Sequence, residues 1–267
     1  MRQFDFGENW SDFSAHALTP DRIRQAREDF AGFMARGSAD ISRRSFLDIG
    51  FGQGLSLLSA ASAGAKAVGC DINPKCAQVL ERNRSQFPEV AARAIPVVVG
   101  SILDSTTVEA LKKLAPDESG YEIVHSWGVL HHTGRMWQAI DNAASLVRPG
   151  GMLFLALYNR HWTSPAWTAI KLCYVRAPAW LQRVIVAVFY PMILAAKWAV
   201  TGRNPMIMDR GMDFYYNVVD WVGGYPYEYA SRAEVTRYLV GRKFALRISA
   251  PAGVPTGCNE YVFVRLE

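Results

Sequence analysis

The sequence predicts an α/β fold built on a parallel sheet with crossover helices. Two observations predict it. Residues Phe46-Leu-Asp-Ile-Gly-Phe-Gly-Gln-Gly54 join a short apolar strand to a glycine turn and a helix, and the next strand, Ala67-Val-Gly-Cys70, ends on the acid Asp71. Beyond it, strand and helix patterns alternate regularly to about residue 158, and such alternation implies parallel strands. Gly50, Gly52 and Gly54 permit a tight turn and close approach of a ligand to bare backbone. The N–H groups at the start of the following helix would face that ligand. An acid at position 71 can accept both hydroxyl hydrogens of a ribose, so the unit reads as nucleoside-binding.

The elements follow in order. Residues 1–18 are aromatic and show no helical or strand period; Phe6-Gly-Glu-Asn-Trp10 and Phe13 are expected to form an arm that closes over the ligand as a lid, the alternative being an aromatic arm packed on the domain surface. Thr19-Pro-Asp21 starts a helix, with Thr as N-cap and Pro at the first helical position. Ile23, Ala26, Phe30 and Met34 give it one apolar face, and Gly37 ends it. Strands are expected near 45–49, 66–71, 95–99, 121–127 and 151–158, with helices at 53–63, 74–87, 105–115 and 134–147. Residues 159–230 break this rhythm. Ser164-Pro165 starts one helix, Pro178 starts another that runs toward Gly202 with a kink at Pro191, and a glycine- and tyrosine-rich stretch follows to Tyr229. Ser231 caps a last helix, and strands at 244–249 and 261–264 close the sheet. The chain thus divides into an N-terminal arm and helix (1–40), a nucleoside-binding core (41–158), an insertion (159–230) and closing elements of the core (231–267).

Glycine spacing decides which nucleoside. A dinucleotide fingerprint needs G-x-G-x-x-G, but position 55 is Leu and the third glycine sits one place early, at Gly54. The pattern D-x-G-x-G-x-G resembles motif I of the class I S-adenosylmethionine-dependent methyltransferases. Gly100-Ser-Ile-Leu-Asp104 resembles that family's adenine-side segment, Tyr121-Glu-Ile-Val-His-Ser-Trp127 its fourth strand, and Leu146-Val-Arg-Pro-Gly-Gly-Met-Leu153 the turn into its fifth. The likeness is to small-molecule enzymes, similar to ubiquinone-pathway methyltransferases. It implies a Rossmann-like seven-stranded sheet of order 3-2-1-4-5-7-6, with helices on both faces, an antiparallel last strand and a helical insertion after strand five. It also implies S-adenosylmethionine as cofactor. Asp48, Gly50, Gly52 and Gly54 would form the floor under its methionine part, and Asp71 would hold the ribose with Ile72 beside it. Ser101 and Ile102 would border the adenine, although the family often has Asp where Ser101 stands. Trp127 would lie near the sulfonium.

His131 and His132 follow that strand and are the catalytic candidates. Methyl transfer is an in-line displacement in which alignment supplies most of the rate, and a hydroxyl acceptor benefits further from a base. The alternative is that the two rings cap or pack the turn. Acceptor-side candidates are Trp10, Arg210, Asp213, Tyr216, Tyr225, Tyr227 and Glu228, because loops after the fifth strand shape the acceptor pocket in this family. No metal is expected, since strand four ends in His125-Ser-Trp127 without a carboxylate. The expected activity is methylation of a small molecule, at a hydroxyl oxygen. The alternatives are a lipid-linked or quinone acceptor at a membrane surface, and a catalytically silent S-adenosylmethionine-binding regulator.

Composition sets the remaining limits. With 267 residues, half of them hydrophobic, the chain can bury a sizeable core. The net charge of +5 is concentrated in the insertion, at Lys171, Arg176, Arg183, Lys197, Arg203 and Arg210. Nucleic acid is not an expected partner: where amino-directed DNA methyltransferases carry Asn/Asp-Pro-Pro-Tyr, this chain reads Leu157-Tyr-Asn-Arg160. Four cysteines without C-x-x-C spacing and an N-terminus unlike a signal peptide lead to the expectation of a cytoplasmic protein. Val184 to Ala196 carry no charge, with Arg183, Lys197, Trp180 and Trp198 at the flanks. This segment, 180–198, reads as a core helix, a homodimer contact or a peripheral membrane contact.

Overall fold

A computed structural model describes residues 3–90 and 92–267. Seven strands form one sheet: β1 (Ser45–Ile49), β2 (Lys66–Asp71), β3 (Val97–Val99), β4 (Tyr121–Trp127), β5 (Val147–Tyr158), β6 (Phe244–Ala250) and β7 (Cys258–Arg265). Their order is β3-β2-β1-β4-β5-β7-β6, as expected. β1 pairs in parallel with β2 and β4, placing Asp48 opposite Gly69 on one side and His125 on the other. β7 runs antiparallel between β5 and β6.

Alternate residues of the strands feed two apolar layers, as the two-residue period of a strand requires. On one face Phe46 and Ala67 pack against α2 (Pro20–Arg36), α3 (Leu55–Ser62) and α4 (Pro74–Arg84) through Phe30, Phe33, Leu57, Leu58 and Leu80. On the other, Leu47 and Val68 pack against α5 (Ser105–Leu114), α6 (Met136–Ser145) and α10 (Arg232–Val240) through Leu111, Ile140 and Leu239. Side chains on both faces leave β1 buried along its whole length, so its C-terminal end and the turn after it are what remain for a ligand.

Two expectations needed correction. Residues 6–16 are helical: α1 (Phe6–His16) is N-capped by the Asp5 side chain, which accepts from the Glu8 N–H at 3.0 Å. Phe6, Trp10 and Phe13 do hold helical spacing, masked in sequence by Gly7 and the short polar residues between them. Within the glycine- and tyrosine-rich stretch, α9 (Phe214–Gly223) is a helix capped by Asp213, with Phe214, Val218 and Val222 buried at four-residue intervals. Together with α7 (Ser164–Arg176) and α8 (Ala179–Thr201) it forms a third apolar cluster.

The core-helix reading of 180–198 also fails. α8 continues unbroken through Pro191, and Val186 is its one fully buried residue. Ile185, Phe189, Tyr190, Ile193 and Leu194 pack partly against α7 and α9, and the rest of the helix surface faces outward.

Candidate functional site

At the end of β1 the chain turns through three glycines in the left-handed region, with φ of 74°, 53° and 82° at Gly50, Gly52 and Gly54. A β-carbon at Gly50 would come within 2.3 Å of the Val129 side chain, so this turn lies directly against the segment that leads into His131 and His132. A β-carbon at Gly52 would meet the Trp10 indole nitrogen at 2.9 Å. Gly54 caps α3 without any side-chain hydrogen bond, and no acid stands in the first turn of that helix. No acid of its own first turn therefore neutralises its positive pole.

Asp71, 8% exposed, ties this turn to the next helix: Oδ2 accepts from Gly52 N–H and Oδ1 from Asn73 N–H, both at 2.9 Å. Burial raises its pKa against the pull of those two N–H groups. The Cys76 thiol also hydrogen-bonds the carboxylate, which still keeps accepting capacity for a ribose hydroxyl. Ile72 beside it is 57% exposed. The Ser101 hydroxyl accepts from Leu103 N–H within its own turn, and Ile102 is buried with its carbonyl accepting from Asn142 Nδ2 at 2.8 Å. Asn73 caps α4 and donates to Asp5 at 2.7 Å, while Lys75 pairs with Glu8. The start of α1 therefore docks on the Asp71 edge.

Asp48 points inward. Its Oδ1 lies 2.7 Å from His125 Nδ1, in a nest formed by Phe30, Phe33 and Phe46. Its buried Oδ2 has no hydrogen-bond partner among the described residues. Trp127 donates from Nε1 to Glu260 Oε1 at 3.1 Å, and the Arg210 guanidinium lies over its ring at 4.2 Å. Arg210 also donates to Ser56 Oγ at 2.9 Å, in the first turn of α3, and its backbone N–H donates to Asp29. The structure thus brings Arg210 to the glycine-turn side.

His131 and His132 lie in a single 3₁₀ turn, both buried. His131 Nδ1 accepts from Tyr158 N–H at 3.2 Å, and its ring stacks on Tyr158 at 3.9 Å. That bond places the proton of the neutral ring on Nε2, which has no partner among the described residues. His132 has the other tautomer: Nδ1 donates to the Pro226 carbonyl at 2.6 Å, leaving Nε2 unprotonated. Burial, helped by the charge of Lys171, pushes the His132 pKa down to about 3. His131 is also lowered, first by burial and then by His132 and Lys171. Phe6 of α1 covers His132 at 4.8 Å between ring centres.

Next to this pair lies a residue that sequence reading passed over as one charge among several. Lys171 is fully buried, donates to the Trp221 carbonyl, and places its ammonium 4.7, 4.9 and 5.8 Å from the ring centres of Trp221, Tyr227 and Tyr158. Burial lowers its pKa and raises that of Asp220, the acid nearest in charge. The available signal was position: Lys171 falls on the face of α7 shared with Tyr174 and Val175, both buried. Glu260 and Ser56 were also missed, because their roles depend on β7 and α3 meeting Trp127 and Arg210 in space.

The remaining candidates separate. Tyr227 joins the cluster, 5.0 Å from Tyr158. Tyr225 packs with the α7–α9 cluster, and its carbonyl accepts from Phe4 N–H. Glu228 caps α6 through Met136 N–H at 2.9 Å, while its own N–H holds the His131 carbonyl. Asp213 caps α9 and pairs with Arg22 at 2.6 Å. Tyr216 donates to Asp12 at 2.7 Å, which ties α9 to α1. Trp10 lies over Gly52 and against Phe13.

Comparisons with known proteins bear on the family and the fold. Residues 21–203 match a family model described as a methyltransferase domain. The chain is similar to the ubiquinone biosynthesis O-methyltransferase of Parvibaculum lavamentivorans, 29% identical over 171 residues, covering 63% of this chain and 62% of that protein. It is 28% identical over 206 residues to the enzyme of the same name from Bordetella avium, covering 74% of each. The fold is shared with an S-adenosylmethionine-dependent methyltransferase from Anabaena variabilis, at TM-score 0.58, 10% identity and coverage of 100% of this chain and 98% of that one. It is also shared with magnesium protoporphyrin IX methyltransferase from Synechocystis, solved with bound S-adenosylhomocysteine, at TM-score 0.53, 15% identity and coverage of 91% and 83%. The chain therefore belongs to the methyltransferase-domain family and is an S-adenosylmethionine-dependent methyltransferase.

Proposed function

We propose that the acceptor is a small molecule methylated at a hydroxyl oxygen, and that His131 and His132 receive it. The observation that carries this reading is the histidine pair of opposite tautomers at the ends of β4 and β5, in the turn just after Val129, whose side chain packs on Gly50. The names of the two relatives support oxygen as the methylated atom.

The residues present fit the cofactor. The glycine turn would face it with bare backbone, Asp71 would take the ribose hydroxyls, and Arg210, beside the first turn of α3, would face its carboxylate. Bound there, the cofactor supplies an electrophilic methyl group on a sulfonium. The protein then aligns the acceptor. His131 Nε2–H can donate a hydrogen bond and His132 Nε2 can accept one, so the pair can hold a hydroxyl in one orientation. A methylated neutral hydroxyl is an oxonium, far more acidic than an alcohol. His132 can therefore take its proton even with a depressed pKa.

Label transfer from methyl-labelled cofactor to phenolic and aliphatic alcohol acceptors tests the reading. A product 14 mass units heavier, methylated at oxygen, is expected. Product methylated only at nitrogen or carbon would overturn the assignment of oxygen. Cofactor binding with no transfer to any acceptor would favour a silent regulator.

A further inference from the structure

We propose that the outer face of α8 lies on an anionic lipid bilayer, in the plane of its interface. The helix has 23 residues and a mean hydropathy of 1.8 over its most apolar window, yet only 6% of that window is buried. Trp180, Val184, Val188 and Met192 follow at four-residue intervals and are 65%, 49%, 53% and 57% exposed. Trp198 and Val200 in the last turns of the helix, and Ile207 beyond its end, are exposed as well. An exposed apolar surface of this extent marks a docking site, and tryptophans near both ends of the helix suit the headgroup level of a membrane.

Charge selects the occupant. Between Asp141 and Asp209 the sequence contains no acidic residue. Arg176, Arg183 and Arg203 are exposed around the helix, and this stretch offers no carboxylate to pair with them. A second copy of the chain would bring these cations against their own kind, because a two-fold contact uses the same patch twice. An anionic lipid surface complements them. A groove of about 340 Å³ beside the helix is lined by Arg183, Val186, Ala187, Tyr190 and Tyr215, so an arginine stands at a place where a lipid phosphate can approach an apolar floor. Spanning is disfavoured by how the helix is held. Gln182 donates to the Tyr174 carbonyl at its start, Tyr190 packs on Phe214 at 5.0 Å in its middle, and the chain after it is fixed through Arg210 to Ser56.

α8 packs on α7 and α9, and α7 carries Lys171, so such docking sets a lipid surface behind the helices of the acceptor side. It does not depend on which atom is methylated. The test is flotation of the full chain with vesicles of phosphatidylcholine alone or with phosphatidylglycerol added, with S-adenosylhomocysteine binding measured on the same samples. Co-flotation with the anionic vesicles is expected, falling about fivefold for each of Arg176, Arg183 and Arg203 replaced by Gln. Val188→Glu with Met192→Glu should abolish it while cofactor binding persists. The proposal is overturned if the wild-type chain fails to float while binding S-adenosylhomocysteine, or if the double variant floats unchanged. It is equally overturned if the chain resists alkaline extraction, which means spanning, or if light scattering shows a dimer that Val188→Glu dissociates.

Discussion

The Asp71 carboxylate accepts two backbone N–H bonds, one from the glycine turn and one from the start of α4. Its removal should act in two ways, by deleting ribose hydrogen bonds and by loosening the turn. Asp71→Ala is expected to weaken S-adenosylhomocysteine binding by about 1.5–3 kcal/mol, as calorimetry would register; unchanged affinity would exclude Asp71 from the site. The histidines make different predictions because their tautomers differ. His132→Ala is expected to lower kcat by roughly 10²–10⁴-fold with little change in cofactor affinity. His131→Ala should mainly raise the acceptor KM. The His132 pKa of about 3 means that the rate should show no histidine limb between about pH 5 and 8. A limb near the ordinary imidazole pKa that vanishes in His132→Ala would show instead that the ring is solvated during turnover.

At the scale of elements, α1 is the piece that joins otherwise separate parts. It meets α4 through Asp5–Asn73, α9 through Asp12–Tyr216, the glycine turn through Trp10 and His132 through Phe6. Tyr216→Phe removes one tie and leaves the rings packed. It should cost about 0.5–1.5 kcal/mol in denaturant unfolding and raise the exchange rate of α1 amides above that of the sheet. Equal protection of α1 and the sheet in both proteins would mean that the helix does not move separately. Glu228 acts on another element. Its backbone N–H holds the His131 carbonyl whatever the side chain, while its carboxylate caps α6, so Glu228→Ala removes only the cap and should reduce stability by about 1 kcal/mol and perturb turnover through the position of α6 and the turn before it.

At the scale of the molecule, the buried histidines link the fold to pH. Both have pKa values lowered on folding, chiefly by burial. The unfolded chain therefore binds more protons than the folded one once pH falls below the ordinary imidazole value of about 6.5. Stability should hold above that value and decline as pH drops through it toward the folded values. The slope should lessen in a His131→Asn variant, as equilibrium unfolding at pH 5 and 7.5 would reveal. Lys171 adds a term at higher pH: its lowered pKa means stability also falls as pH drops from the ordinary lysine value toward the folded one.

Sequence alone determined the sheet and the cofactor. The glycine spacing, Asp71 and the strand–helix rhythm are local signals, each carried by neighbouring residues, and strand order follows once they are matched to a family. Local pattern also located α7, α8 and α10. What it did not reach was the partner of each polar side chain. Arg210 was placed with the acceptor loops because it follows β5 in the chain, yet it folds back onto α3 and Trp127. Asp213 and Tyr216 looked like lining residues, and the fold uses them to cap α9 and to bind α1 and α2. Lys171 looked like a surface charge and is enclosed by aromatic rings. The apolar run of α8 fitted a core, and only packing left it exposed. Hydrophobic period and turn chemistry act over a few residues, so a chain displays them directly. Burial, tautomer and ion pairing belong to groups that are 27 to 204 residues apart and meet only when the sheet is assembled.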